Sequence, residues 1–151
     1  MKLSAPRAAL AQALSYCASA IDRKSPNFAA SCVLLSVADG LTRVSATDGL
    51  LSARTSITTL AAEPGSFGLP AAGLLDRVKA LTEADVAIEV AEASATVKQG
   101  KRRFTLKAIG AADFPNYPAK HEGQRASVSS DILRSVLSRV AYAQHEDADG
   151  R

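Results

Sequence analysis

One order of elements occurs twice in this chain: a short strand, a helix entered through proline, then three strands. In the first copy Lys2 to Ala5 is the opening strand, and Pro6 suits the first turn of a helix, where its missing N–H costs nothing. Leu10, Leu14, Cys17 and Ile21 recur at helical spacing over Ala8 to Ile21, with alanine filling much of the rest. After the polar break Asp22-Arg23-Lys24-Ser25-Pro26 come strands at Cys32 to Val37, Leu41 to Ala46 and Leu50 to Ile57. Asp39-Gly40 and Asp48-Gly49 separate them, which is the expected chemistry of tight hairpins.

The second copy opens with a strand at Ser66 to Leu69, and Pro70 enters a helix whose apolar face is Leu74, Leu75, Val78 and Leu81. Strands follow at Val86 to Val90, Ser94 to Lys98 and Arg103 to Ile109. One unit alone has an open sheet and one helix, too little to cover its own apolar surface. Two units, Met1 to about Ile57 and about Gly65 to Ile109, paired by a local two-fold, join their sheets and lay their helices side by side on one face. The expected class is α+β, with antiparallel sheets.

The stretch Lys98 to Pro118 closes this arrangement. It reads as a basic hairpin (Lys98, Lys101, Arg102, Arg103), a last strand, and an exit linker whose prolines stop any element. Beyond it the same opening returns. Ala126 to Val128 is strand-like, Ser129-Ser130-Asp131 supplies capping side chains, and Leu133, Val136, Leu137 and Val140 mark a helix. The expected division is a complete domain over 1–118 and the opening strand and helix of a second domain over 119–151. A third unit begun without its strands leads to the expectation that this chain is a fragment, or the ordered part, of a longer protein.

Composition narrows the function. With 151 residues, 47% hydrophobic and no Trp, the core is built from Ala, Leu, Val and Ile. A net charge of +3 permits a polyanionic partner without demanding one. Two cysteines, Cys17 and Cys32, make neither a disulfide framework nor a zinc site and read as small buried hydrophobes in a reducing compartment. Arg7 and Gln12 interrupt any signal-peptide core, and the apolar run Phe28 to Ala38 is too short for a membrane span. A cytoplasmic protein without membrane contact is expected. No phosphate loop, metal-spaced histidine pair or nucleophile elbow is present, so no catalytic residue, metal or cofactor is expected. Asp39, Asp48 and Asp113 sit where aspartate caps its own backbone.

Several of these residues, in their order and spacing, resemble one family, the bacterial DNA sliding clamp (the β subunit of DNA polymerase III). They are the Met-Lys-Leu start, Val37-Ala38-Asp39-Gly40, Ala46-Thr47-Asp48, Leu69-Pro70-Ala71, and Arg103-Phe104-Thr105-Leu106 leading to Ala111-Ala112-Asp113-Phe114-Pro115-Asn116. The final helix followed by His145-Glu146-Asp147 looks like the start of that family's second domain. The resemblance implies the DNA-clamp fold and a non-catalytic processivity factor. Three such domains make a protomer, and two protomers close a ring around duplex DNA, sheets outside and helices lining the hole. It also implies as partners sequence-independent double-stranded DNA and a second protomer, with polymerase and clamp loader engaged through later domains absent here.

A sliding surface needs phosphate attraction without base readout, and sparse cations on smooth helices supply it. Arg23 and Lys24 match a basic position that contacts DNA in the family, and Arg77, Lys79, Arg134 and Arg139 lie on the other two helices. The competing reading of each is a solvated surface charge. The acidic run Glu146, Asp147, Asp149 departs from the polar loop that follows this histidine in the family. By the same resemblance Arg102, Arg103, Phe104 and Leu106 belong to the sheet edge that joins protomers. The competing reading is a stand-alone nucleic-acid-binding module or small enzyme on the same fold.

Overall fold

Pro6 ends the first strand and starts the first helix without a side-chain cap, its φ of −59° already fitting the turn. In the computed structural model, which describes residues 1–21, 26–115, 123 and 126–143, β1 (Lys2–Pro6) leads into α1 (Arg7–Cys17), which tightens to a 3₁₀ turn over Ala18–Ala20. β2 (Cys32–Ala38), β3 (Leu41–Thr47) and β4 (Ser52–Thr58) follow. Next come the short β5 (Ala61–Ala62), β6 (Gly65–Pro70) and α2 (Ala71–Ala80). β7 (Asp85–Ala91), β8 (Ser94–Gln99), β9 (Arg102–Lys107) and β10 (Ile109–Gly110) complete the unit spanning Met1–Pro118.

The two units exchange their opening strands. One antiparallel sheet runs β5-β1-β7-β8-β9 and the other β10-β6-β2-β3-β4. β1 of the first unit pairs with β7 of the second (Leu3 opposite Ile88), and β6 of the second pairs with β2 of the first (Leu35 opposite Phe67). Neither sheet is complete within one unit, so each unit depends on the other for pairing as well as burial. α1 buries Leu10, Ala13, Leu14 and Cys17, and α2 buries Ala71, Leu74, Leu75 and Val78. The two helices pack together, and their buried residues share a core with Val33, Leu35, Val44, Val86, Ile88 and Val97 of the sheets.

Turn chemistry decides the strand ends. Asp39 and Gly40 both take positive φ (52° and 72°), as a two-residue hairpin between paired Ala38 and Leu41 requires. Asp48-Gly49 behaves differently. Asp48 Oδ1 accepts from the N–H of Leu51 at 2.7 Å and of Leu50 at 2.8 Å, which opens a four-residue loop between paired Thr47 and Ser52. These two bonds hold the Asp48 carboxyl below the usual range, the one from Leu51 contributing most. The strand expected from Leu50 therefore begins at Ser52, and Leu50 is 90% exposed at the loop tip. The last strand, expected unbroken to Ile109, breaks at Ala108, where the chain passes from one sheet to the other.

Glu92 turns β7 into β8 with φ 52°, a region that costs an L-residue roughly 1–2 kcal/mol. Glycine removes that penalty and gives back part of it as unfolded-chain entropy. Glu92→Gly is expected to raise stability by about 0.5–1 kcal/mol, read as a higher midpoint in urea at unchanged slope.

In the unit Ala119–Arg151, α3 spans Ser130–Val140. Ala126 to Val128, expected as a strand, has no strand structure; among the described residues it has no pairing partner, and a lone strand leaves its backbone groups unsatisfied. Ile132, Leu133, Val136, Leu137 and Val140 of α3 are about half exposed.

Candidate nucleic-acid and subunit interfaces

α1 presents a surface with little charge. Its outward residues are Ala8, Gln12, Ser15 and Tyr16, and its one charged residue is Arg7 at the start. α2 contributes Asp76, Arg77 and Lys79. Lys79 is exposed in the last turn, where a cation also complements the helix dipole. Arg77 is half-buried: its Nη1 donates to the Gly73 carbonyl at 3.0 Å and its guanidinium lies 6.0 Å from the centre of the Phe104 ring. Of the two cations expected on this helix, Lys79 projects into solvent and Arg77 is held against β9. Arg23 and Lys24 lie outside the described residues. On α3, Arg134 reaches back to Asp131 at 3.3 Å, an exposed pair of small energetic weight, and Arg139 is exposed in the last turn.

The basic hairpin between β8 and β9 is anchored to the end of α2 by a residue the basic run conceals. Gln99 is 5% exposed. Its Oε1 accepts from Thr82 N at 2.9 Å and Glu83 N at 3.1 Å, and its Nε2 donates to Asp85 O at 2.8 Å and Glu83 O at 3.1 Å. All four amide valences are used on the backbone that joins α2 to β7. Arg102 adds a bond from Nη1 to the Ala80 carbonyl, 3.0 Å, at the C-terminal end of α2. The sequence did carry a trace of Gln99: it continues the inward parity of Ala95 and Val97. A polar residue on an apolar face has to find partners.

β9 ends its sheet, so the backbone groups on its outer side have no strand partner among the described residues. Alternation sorts its side chains. Arg103, Thr105 and Lys107 point outward, and Phe104 and Leu106 point inward. Phe104 is half-buried beneath Arg77. Leu106 differs from the expectation of an edge contact. It is 7% exposed and belongs to the domain core, because an inward position of an edge strand still faces the helices. Arg102 and Arg103, adjacent in sequence, likewise lie on opposite faces of the sheet, Arg102 toward α2 and Arg103 away from it.

Burial pushes both thiols, Cys17 and Cys32, up to about 11, and the Cys17 Sγ donates to the Val44 carbonyl at 3.4 Å. Among the described residues no group of three or more His, Cys, Asp and Glu is placed to hold a metal ion. No helix among them is long and apolar enough to cross a membrane.

Two strand-exchanged repeats with paired helices on one side and a free sheet edge define a domain of the DNA-clamp type. The chain belongs to the DNA polymerase III beta subunit family: residues 1–118 match the family's N-terminal domain. It is 36% identical over 84 residues to the beta sliding clamp of Pseudomonas aeruginosa, an alignment covering 55% of this chain and 23% of that relative. The solved DNA polymerase III subunit beta of the same organism superposes with a TM-score of 0.87 at 30% identity, over 97% of this chain and 40% of that one. The Helicobacter pylori beta clamp bound to a DNA ligase peptide shares the fold with a TM-score of 0.89 at 24% identity, over 97% and 41% of the two chains. The chain thus spans well under two thirds of the relatives it matches.

Proposed function

We propose that this chain is the N-terminal part of a ring-forming sliding clamp, a cytoplasmic replication factor that encircles duplex DNA and tethers the replicative polymerase without itself catalysing a reaction. The family match over residues 1–118 carries this reading. The geometry supports it: two smooth helices lie side by side, and the sheet ends in a strand whose outer edge has no partner among the described residues.

In this reading the helices face the DNA. Lys79, with Arg23 and Lys24, supplies phosphate attraction that holds no base edge and lets the duplex slide. Arg134 and Arg139 play the same part in a second domain that opens within 119–151. The β9 edge meets a second protomer by strand addition, with Arg103, Arg102 and Phe104 at the contact and Leu106 holding the strand from behind. Polymerase and clamp-loader peptides bind on later domains.

The test uses the full-length protein. Loaded on nicked circular DNA, it should stay bound until the circle is cut and then be lost from the ends. Retention on linear DNA would remove the topological reading. Reversing Arg102 and Arg103 to glutamate should shift the dimer to monomer by sedimentation and abolish retention on circles. A dimer left intact would move these residues out of the interface.

A further inference from the structure

Cations are unevenly distributed between the two sides of the first domain. Strand alternation places Lys2, Lys98, Arg103 and Lys107 on the outward face of the β5-β1-β7-β8-β9 sheet, the face turned from the helices, with Glu89 and Asp85 as its acids. The register sets them on a grid. Lys2, Glu89, Thr96 and Thr105 are opposite one another across four strands; Ser4, Ala87, Lys98 and Arg103 form the next row; Ser94 and Lys107 lie on the far side. Strand spacing and rise make this a plate of about 14 Å by 14 Å. Glu89 is ion-paired with Lys98, and that bond, followed by the fields of Lys98, Lys2 and Arg103, holds its carboxyl below the usual range. The cations therefore act on one neighbourhood. Lys107 is exposed, with its Nζ 5.1 Å from the centre of the Phe28 ring. The helix side offers fewer exposed cations among the described residues of this unit's strands and helices: Lys79, and Arg102, whose Nη1 is bonded to the Ala80 carbonyl, Arg7 and Arg77 being half-buried.

We propose that this outward sheet face is a second contact surface for duplex DNA, binding the phosphate backbone without reading sequence. The rest of the face selects the partner. Its uncharged residues are small or hydroxylic (Ser4, Ala87, Ser94, Thr96, Thr105), with Pro6 at one corner. Among the strand residues of the grid there is no large apolar or aromatic anchor of the kind that dominates peptide and protein recognition. The partly exposed Phe28 ring at the border of the face has Lys107 over it, so it is not an open platform on which unpaired bases would stack. Lysine, arginine, serine and threonine on a rigid flat plate are the groups that bond phosphate oxygens. The surface is independent of the helix-lined hole: it lies on the opposite side, and a ring is not needed for it to bind.

The experiment titrates the 151-residue chain against a short, labelled, blunt-ended duplex, by fluorescence anisotropy, between about 50 and 200 mM salt. Log affinity should fall with log salt with a slope of about −3, the value for three to four phosphate contacts. Lys2→Gln with Lys107→Gln, which leaves Arg102 and Arg103 and hence the proposed edge untouched, should reduce that slope by about two. Glu89→Gln removes the central acid and should tighten binding several-fold, a gain that misfolding cannot mimic. The proposal is overturned if these variants bind like the parent while Lys79→Gln weakens binding, which would place contact on the helix side. It is equally overturned if polyglutamate displaces the duplex more effectively than unlabelled duplex at equal charge, which would make the partner an acidic protein. Ring closure and sliding of the full-length protein should be unchanged in the double variant, so its result is separate from the test of the clamp reading.

Discussion

Gln99→Ala is expected to lower the unfolding free energy by about 3 kcal/mol, seen as a melting temperature about 10 °C lower by calorimetry. The side chain makes four hydrogen bonds to Thr82, Glu83 and Asp85 from a site 5% exposed. Its removal leaves backbone groups at the end of α2 to find water at the edge of the core. Water reaching some of them keeps the cost at roughly 0.75 kcal/mol per bond, below the full desolvation penalty. Gln99→Glu is the sharper variant. It keeps the acceptor for the two N–H groups but turns a carboxylate toward the carbonyls of Glu83 and Asp85. Burial against those carbonyls raises the new carboxyl's folded pKa above its unfolded value near about 4.3. The native state then binds more protons, so stability is retained below that pH and lost as pH rises above it. Equal melting temperatures for Gln99→Glu and the parent at neutral pH would show that the four bonds do not hold the loop. The same loop carries α2 and, through Arg102, the hairpin that leads into β9, so the variant should also loosen the free edge.

The second large effect lies in the core. Leu74→Ala is expected to cost about 3 kcal/mol, within a range of about 2–5, measured as a lower denaturant midpoint. Leu74 is fully buried on α2 and belongs to the cluster that joins both helices to both sheets. Phe67 and Phe114 are the buried aromatics among the described residues, so leucines supply most of the large side chains here. Alanines at 5, 13, 20, 46 and 71 already fill the close approaches. A core with so few bulky neighbours has little to collapse into the space left behind, which places the cost above a simple transfer value. Leu74→Met, of similar volume, should cost less than about 1.5 kcal/mol. A result in which the two variants are equal would mean that the site is open to solvent.

Much of the fold can be read in the chain, and the exceptions share a cause. The repeat, the proline-entered helices, the Asp39-Gly40 hairpin and the basic run at 98–103 are local features, written by residues a few positions apart. Residues whose role depends on facing are different. Arg77 looked like a helix cation and sits against Phe104; Leu106 looked like an edge contact and faces the core. Arg102 and Arg103 looked like one patch and lie on two sides of a sheet.

The sequence by itself determined that two strand–helix–three-strand units exist, where each begins, and that neither covers its own apolar surface. Helical and strand periodicities, proline and glycine act over a few residues and need no partner to be expressed. Only the tertiary structure decided that the units exchange opening strands, so that Leu3 meets Ile88 and Leu35 meets Phe67. Only it decided that Lys2, Lys98, Arg103 and Lys107, up to 105 positions apart, share one face. Register between strands distant in sequence is set by which apolar faces must be buried together. That is a property of the assembled core and of no single segment.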